Sequence, residues 1–535
     1  MILSGQNCVR SLLALGLLSS GAATRLDLEV VDEAGQPLPC RVLVRSADNK
    51  CVVPVEGDPV TLKLGRDQWF MSPGKSRLKF PPGEYEVRVE HGPEFLRLKQ
   101  RNTFAKGRFA STVKLTRWVN MKERGYLCGE NHLHVDSKSL APMLAAEGLD
   151  FGTSLTWWNG PDALRPVPPG DGPFRTLAFG GRNIPTSIHD AELESGWGAA
   201  YLQNLPRPLH FAADPDRPNL DSVEHARQVG GLVHYQGGWS REVGMDALLG
   251  LVDTVNVCNN NFHLHKFQPR SRYSNLLQVA GFPAYPDTEE GMLRMNTETY
   301  YRLLNWGLRL AAGAGSATGA KQTPVGYNRA YVRVNPDASL TEFNRAWAQG
   351  RNFVTNGPMI SLSASGGRKP GDEIAFPGED RDIAISLEVI SAQPLEIVEV
   401  VVNGKVVTTL PGKDGLHLVH EGKITVPGGA WIAARCVARD DHLTDEELAA
   451  YRKAGDLPEV PSRIRFAHTS PIYVTVAGRG ARVRSSLEEG LRMMEALQRY
   501  GQEKAAPAHR ARFLEALEKA REVLRARLRE AGERP

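Results

Sequence analysis

The stretch "CGENHLHVDS", Cys128–Ser137, decides how this chain is interpreted. It places His132 and His134 one residue apart, with Glu130 and Asp136 on either side. In a β-strand, residues i and i+2 point to the same face, so two imidazoles at the end of a strand can reach one metal ion. Two structural histidines at the polar edge of a strand are the alternative. The rest of the chain has to decide between them.

The region around this stretch alternates between helical and strand patterns. The segments "SKSLAPMLAAEGLD" and "SVEHARQVGG" have helical spacing, and "GLVHY" and "DTVNV" are short apolar strands. Such alternation is typical of α/β folds, and residues 119–356 have about the length of a closed barrel, whose active site lies at the C-terminal strand ends. Eight of the 14 histidines fall between His132 and His265. This enrichment favours a site in the same region.

The flanking regions have different patterns. Residues 24–118, with "FPPGEYEVRVEHG", and residues 357–480, with "IVEVVVNGKVVTTL", show short alternating runs broken by Gly and Pro. They predict an N-terminal β-sandwich and a C-terminal β-domain. In residues 481–535, "SLEEGLRMMEALQRY" and "RARFLEALEKAREVLRARLRE" space their apolar positions three and four apart, which predicts a helical tail. We expect the tail to pack on the body; a partner-binding helix is the alternative.

The first 23 residues have the pattern of a signal peptide. Arg10 precedes the apolar run "SLLALGLLSSGAA", which ends in small residues. We therefore expect an exported protein, periplasmic or extracellular, although a buried N-terminal segment is the alternative. The run is shorter than the roughly 20 residues that span a membrane, so no transmembrane segment is predicted. In an oxidising compartment Cys40 and Cys51 could form a disulfide or remain thiols.

Several functional classes find no support in the sequence. The formal net charge is +4, with acids and bases mixed throughout, whereas nucleic-acid binding proteins cluster basic residues on one face. The Gly-rich segments "GAGSATG" and "GGRKPGD" match neither a P-loop nor a dinucleotide-binding motif. No GxSxG nucleophile motif is present. A small-molecule or carbohydrate-like substrate remains the expected partner, without nucleic acid.

A series of motifs occurs along the chain in a recognisable order. Gly129–His134 forms a Gly-Glu-x-His-x-His run, followed by "GLDFGTSLT", "YYRLLNWGLRLAAGAGSATG", "PVGYNRAYVRV", "AWAQGRNFVTNGP" and "RFAHTSPIYV". Together they resemble the CehA/McbA-type metallohydrolases of the PHP (polymerase and histidinol phosphatase) superfamily over most of the length. That family usually has Asp where this chain has Glu130.

The resemblance implies a distorted (β/α)7-like PHP barrel between the two β-domains, with one to three divalent ions of zinc, manganese or iron. It implies hydrolysis of an ester, carbamate or phosphoester bond by a metal-activated water. His132 and His134 stand at ligand positions of the family. Glu192, in "HDAELESGWG", matches an acidic position if one residue is deleted, and His234, in "GGLVHYQGG", lies at a strand end where the family often has His.

The chain also departs from the family pattern at expected ligand positions. Trp157 and Trp158 in "TWWN" stand where Thr-Asp-His-Asn is common. Ala317 and Gly319 in "GSATG" stand where Ser-Asp-x-His is common, and Ala199 in "GWGA" replaces a histidine. None of these side chains binds a metal, which puts the metal count in doubt.

Other residues could take over the lost functions. The segment "CNNNFHLHKF" supplies a second His-x-His pair, His263 and His265, which could be further metal ligands or part of a polar loop. The two tryptophans could form a wall for a sugar-like or planar ligand, or a buried pair in the core. The residues that we assign to substrate binding are Trp157, Trp158, Asn159 and Arg329.

Three functional hypotheses follow. The first is an exported metal-dependent hydrolase in which His132, His134 and Glu192 are catalytic. The second is a non-catalytic relative that keeps the fold and binds a carbohydrate or another cell-surface ligand, because function depends on the site rather than the fold. The third is an envelope interaction or scaffolding protein. Metal content distinguishes the first hypothesis from the others.

Overall fold

The structure is a computed structural model that describes residues 23–159, 172–209, 214–262, 284–286, 288–377, 381–426, 428–440 and 463–531. It is 43% strand and 22% helix, so the protein is mixed α/β with strands predominating. Two compact units are present. Residues 1–22, with most of the predicted signal peptide, lie outside the described residues.

The first unit comprises Met1–Asn120, Ala141–Gly148 and Ala178–Asn183. Its sheets have the strand orders β6-β1-β9 and β4-β5-β2-β7-β8, with β3 paired to β2. Alternating apolar residues of both sheets share one core, the arrangement of a β-sandwich. The strands are β1 (Thr24–Val31), β2 (Cys40–Ser46), β3 (Cys51–Val52), β4 (Thr61–Leu64), β5 (Asp67–Ser72), β6 (Lys75–Phe80), β7 (Gly83–Glu90), β8 (Leu98–Phe104) and β9 (Gly107–Lys114).

Cys40 and Cys51 of this unit are not joined. Cys40 lies in β2 opposite Ser72 of β5, whereas Cys51 lies in β3 opposite Arg45 of β2. Both are free thiols. The sequence allows either a disulfide or two thiols, and the structure has two thiols.

The second unit contains the candidate site. The strands that lie wholly or mainly in it are β10 (Tyr126–Gly129), β11 (Gly152–Trp158), β12 (Phe174–Phe179), β13 (Arg182–Ser195), β14 (Gly198–Gln203), β15 (Leu232–Tyr235), β16 (Thr254–Cys258), β17 (Ala311–Ala314), β18 (Arg329–Arg333) and β19 (Asn352–Thr355). Before the C-terminal tail, the described helices are α1 (Ser137–Ala146), most of which belongs to the first unit, and α2 (Leu220–Gln228), α3 (Val243–Leu248), α4 (Glu289–Asn305) and α5 (Leu340–Ala348) of the second.

A seven-stranded sheet has the order β11-β13-β14-β15-β16-β17, with β12 on β13. The pairs β11–β13, β15–β16 and β16–β17 are parallel, whereas β13–β14 and β14–β15 are antiparallel. The β13–β14 pair is antiparallel because the chain turns directly from Ser195 to Gly198 and leaves no room for a crossover helix. The α/β prediction is confirmed in this coarse sense, but a closed PHP barrel is not.

The remaining strands are β20 (Met359–Ala364), β21 (Glu373–Phe376), β22 (Arg381–Ile390), β23 (Leu395–Val402), β24 (Lys405–Pro411), β25 (His417–Val426), β26 (Ala430–Arg439), β27 (Ile464–Thr469) and β28 (Ile472–Val476), with a 3-10 turn at Ser365–Gly367. A nine-stranded sheet has the order β10-β18-β19-β27-β26-β23-β24, and β28 joins β21 to β26. The order β20-β22-β25 forms a separate sheet. Strands assigned to the barrel and to the C-terminal β-domain therefore share one sheet.

The predicted helical tail is present as α6 (Arg484–Lys504) and α7 (Pro507–Glu530). Proline at the first position suits the start of α7, because that residue needs no N–H partner. The tail is packed rather than extended: the Trp306 indole donates to the Ser486 carbonyl at 2.6 Å, and the Trp197 ring contacts Tyr500 and Phe513. The packed alternative is thus the observed one.

Within the described residues, no helix combines the length and the apolar character that crossing a membrane requires.

Candidate metal centre

The His-x-His segment begins directly after β10 and is fixed by its backbone. Asn131 N–H donates to the Ala314 carbonyl at 3.0 Å and His134 N–H to the Thr318 carbonyl at 2.7 Å, while the His132 carbonyl accepts from Ala317 N–H at 2.8 Å. The segment therefore runs beside the end of β17. Because of these backbone hydrogen bonds, the segment has the geometry of a β-strand although it lies outside β10. The side chains of His132 and His134 therefore point to the same face.

Glu192 reaches the same place from the seven-stranded sheet. On β13 it is paired with Trp158 of β11 on one side and with Tyr201 of β14 on the other. Residues paired across neighbouring strands share a face, so these three side chains lie in one row. The Tyr201 ring stacks on His132, with centroids 4.1 Å apart, and the Trp158 ring meets His134 at 4.6 Å.

Three side chains converge at this point. Nε2 of His132 lies 2.8 Å from Nε2 of His134, and the Glu192 carboxylate lies 3.3 Å from the first nitrogen and 2.9 Å from the second. All three side chains are at most 4% exposed. Their ligand atoms lie within 4.8 Å of one another, so among the described residues they form a group that could bind a metal ion.

For His132 and Glu192, the surroundings favour the protonation states that metal binding needs. Burial lowers the pKa of His132 despite the opposing effect of Glu192. Burial alone would raise the pKa of Glu192, but the contacts with both imidazoles outweigh it and hold the pKa at about 2. A neutral imidazole and an ionised carboxylate are the forms that bind metal ions.

The donor set fits a divalent metal. Two histidines and one glutamate are a known ligand set for catalytic zinc, and nitrogens bound to zinc at 2.0–2.1 Å in a tetrahedron lie about 3.3 Å apart. The three observed distances are close to that spacing. The centre departs from a standard site in one respect: Nδ1 of His132 is buried and has no hydrogen-bond partner among the described residues, whereas ligating histidines usually donate from their second nitrogen.

The absence of a metal-binding side chain at Gly319 has a steric explanation. A Cβ on Gly319, whose φ is +99°, would lie 2.3 Å from the His134 carbonyl oxygen. A Cβ on Gly315 would lie 2.5 Å from the His132 Cβ. Ala317 has a positive φ of 55°. The loop passes so close to the two histidines that side chains large enough to bind a metal do not fit at Gly319.

The two acids beside the histidines have structural roles. The Glu130 carboxylate accepts backbone N–H groups of Ser316 and Gly326, and burial raises its pKa to about 8. The Asp136 carboxylate accepts the N–H groups of Lys138 and Ser139, at 3.0 Å each, and so caps α1. Glu130 thus holds a loop and is not in the metal-binding group.

His234 is separate from the converging group. It pairs with Tyr201 on β14 and Thr254 on β16, and its Nδ1 lies 2.7 Å from the Thr254 hydroxyl. Two strand spacings of about 4.8 Å separate its backbone from that of Glu192. His234 is therefore on the same face of the sheet as Glu192 but outside the metal-binding group. His263 and His265 lie outside the described residues.

The four predicted substrate-binding residues occupy different environments. Trp158 is half-buried beside His134, and Asn159 accepts from Glu194 N–H at 2.7 Å. Trp157 belongs to the apolar core instead, because the next residue along a strand points to the other face. The Arg329 guanidinium is buried and donates to the Gly326 carbonyl. Only Trp158 places its side chain against the metal-binding group, whereas Asn159 reaches it through its backbone N–H, which donates to the Glu192 carbonyl at 3.4 Å.

Two features of the site are not evident from the sequence: the contact of Tyr201 with His132 and the close approach of Gly319 to His134. Tyr201 lies in an ordinary strand, and only the β13–β14 register puts it beside Glu192. Gly319 stands at a position of a lost ligand, but a glycine can also indicate that two backbone segments approach closely. That second interpretation is the one sign in the sequence of the close contact at Gly319.

No known family model, curated protein or solved structure matches the chain. The resemblance to CehA/McbA-type metallohydrolases therefore stays a prediction, and the function has to be argued from the site.

Proposed function

We propose that the protein is a metal-dependent hydrolase of esters, carbamates or phosphoesters, with one divalent ion bound by His132, His134 and Glu192. The observation that carries the proposal is the convergence of three buried ligand atoms within 4.8 Å. Three protein ligands are the usual number in catalytic zinc sites, which keep a further position for water or substrate. The lost family ligands support a single ion.

A bound divalent ion supplies Lewis acidity and a water whose pKa is lowered towards neutral. The protein residues have distinct tasks around it. Glu192 balances charge and orients both imidazoles through its two oxygens. The backbone bonds from Ala317 and Thr318 fix the positions of the histidines before any ligand binds. Such preorganisation lowers the free-energy cost of ordering the site.

The aromatic neighbours define the side of the site on which a substrate would lie. Tyr201 is fully buried against His132 and excludes water from that side. Trp158 is only half-buried, and its indole N–H donates to the Glu194 carboxylate at 3.3 Å. This bond fixes the ring beside His134. An aromatic face next to the centre favours a planar or sugar-like substrate over a small aliphatic one.

The test is a hydrolysis assay with paired metal controls. Purified protein is stripped with a chelator, reloaded with zinc, manganese or iron(II), and tested on nitrophenyl ester, carbamate and phosphoester substrates. We expect activity to return with metal in the wild type and to be absent in Glu192→Gln. His225→Ala, an exposed histidine on α2, should behave like the wild type. Equal activity of stripped and reloaded protein would overturn the proposal.

A second candidate is a non-catalytic protein that binds a carbohydrate on the same surface. The observation that favours it is steric: Gly319 has no room for a metal-binding side chain. This candidate predicts saturable saccharide binding that depends on Trp158 and is unchanged by chelation. Metal-dependent turnover would eliminate it.

A further inference from the structure

The outward face of the three-stranded sheet in the first unit carries an unusual row of charges. Lys79 of β6 pairs with Arg25 of β1, and Arg25 pairs with Arg108 of β9. All three side chains are exposed. Like charges directly opposite one another destabilise a sheet. These three adjacent cations therefore do not contribute favourably to the stability of the sheet.

These cations border a concavity of about 310 Å3. Its lining includes Arg25, Arg77, Lys79 and Arg108, with Asp27 as one of the two acids. Side chains two apart on a strand are about 7 Å apart, and neighbouring strands are about 5 Å apart. The result is a shallow groove with a regular grid of positive charge.

The acids of the groove orient part of this charge. Asp27 accepts from Arg77 at 2.9 Å and from two nitrogens of Arg108 at 3.1 and 2.9 Å, and Glu56 accepts from Arg77 at 2.7 Å. Arg25 has no acidic partner among the described residues, and the same holds for Lys79 in the described part of the chain. The groove thus has two oriented guanidinium groups and two uncompensated cations.

We propose that this groove binds a linear anionic polysaccharide through its carboxylate or sulfate groups. Basic clusters of this kind suit heparin-like polymers, and guanidinium groups bind planar oxyanions in a bidentate manner. No aromatic side chain is on the outward face of β6, β1 or β9. Binding of single-stranded nucleic acid relies on aromatic stacking, and membrane insertion on large apolar groups, so both partners fit less well.

The experiment measures binding of the full-length protein to dextran sulfate and polygalacturonate. Neutral dextran, oligo-thymidine and phosphatidylglycerol vesicles are the comparison ligands. We expect both anionic polysaccharides to bind with an affinity that falls as salt rises, and neutral dextran not to bind. Tighter binding of oligo-thymidine or of the vesicles would overturn the assignment, and so would equal binding of neutral dextran.

Variants test the groove itself. Each basic side chain near an anionic surface contributes roughly a factor of five in affinity, so Arg25→Ser with Lys79→Ser should weaken binding about 25-fold. Lys63→Ser with Arg101→Ser removes two exposed cations from β4 and β8 as the matched control. An equal loss in both double variants would overturn the proposal. Circular dichroism checks that both remain folded.

The Asp27→Asn variant distinguishes binding that depends on oriented side chains from binding that depends on net charge alone. It makes the face more positive but releases Arg77 and Arg108 from their orienting contacts. If the groove is built for its ligand, binding should weaken or stay unchanged. Clearly tighter binding would mean that net charge alone is responsible, and would overturn the proposal.

Discussion

The metal centre and the acid pair Glu242 and Asp246 are both fully buried in the second unit, yet their carboxylates have different partners. Glu242 accepts the N–H groups of Asn219 and Leu220 at 3.0 and 3.1 Å, where α2 begins, and Asp246 accepts from the Tyr235 hydroxyl. Burial raises the pKa of both, that of Asp246 to about 7.

Glu192 differs because its oxygens face two imidazoles. Its pKa is lowered to about 2, although it is as buried as the acid pair. A buried carboxylate that accepts from the backbone holds the fold, whereas convergence with two histidines is the arrangement that the proposed metal site requires. Substitutions at the metal-binding group and at the acid pair test this difference.

The largest expected effect is on metal affinity. His132→Ala and His134→Ala each remove one of three ligands, and losses of supporting residues alone cost about 10- to 100-fold. We expect at least a 100-fold weaker affinity for zinc by isothermal titration calorimetry, with an unchanged circular dichroism spectrum. His225→Ala is the control. A wild-type affinity in His132→Ala would show that this nitrogen is not a ligand.

A smaller effect is expected at Gly319, which touches the centre only through the backbone. Gly319→Ala introduces a Cβ against the His134 carbonyl and strains a φ of +99°. We expect about tenfold weaker metal binding and a loss of about 1–3 kcal/mol in the free energy of unfolding. Gly250→Ala, with a φ of +76° and nothing within 4 Å, is the matched control. It should lose stability but not metal affinity.

The raised pKa values of Glu242 and Asp246 predict a stability that falls as the pH rises, the opposite of what a lowered pKa such as that of Glu192 would give. A carboxyl whose folded-state pKa is raised stabilises the protein below its unfolded pKa, near 4, and loses that contribution as the pH rises through about 7. Wild-type unfolding free energy should fall across this window by up to about 1.4 kcal/mol per pH unit from Asp246. Asp246→Asn should flatten the slope in urea denaturation curves. An identical slope in both proteins would contradict this assignment.

The smallest effect concerns Trp158. If its ring binds substrate, Trp158→Ala should raise KM by about three- to tenfold, with a smaller change in kcat, because one aromatic contact contributes about 0.5–1.5 kcal/mol. Trp158→Phe should restore most of the affinity. A loss confined to kcat would instead mean that the ring positions His134.

Much of the fold could be predicted because it depends on local patterns. The apolar spacing of the tail predicts α6 and α7, and the alternation near Leu26 predicts the sandwich strands. The convergence of His132 and His134 follows from strand geometry. What could not be predicted depends on register: the β13–β14 hairpin, the contact of Tyr201 with His132, and the capture of Glu130 by Ser316 and Gly326. No local pattern specifies which distant backbone a side chain meets.

The most direct test of the account is the metal content of the purified protein, measured by plasma mass spectrometry beside His132→Ala and Asp246→Asn. We expect about one equivalent of zinc, manganese or iron per chain in the wild type and in Asp246→Asn, and less than a tenth of that in His132→Ala. A wild-type protein that holds no divalent metal, and takes up none at micromolar concentrations, would contradict the central claim.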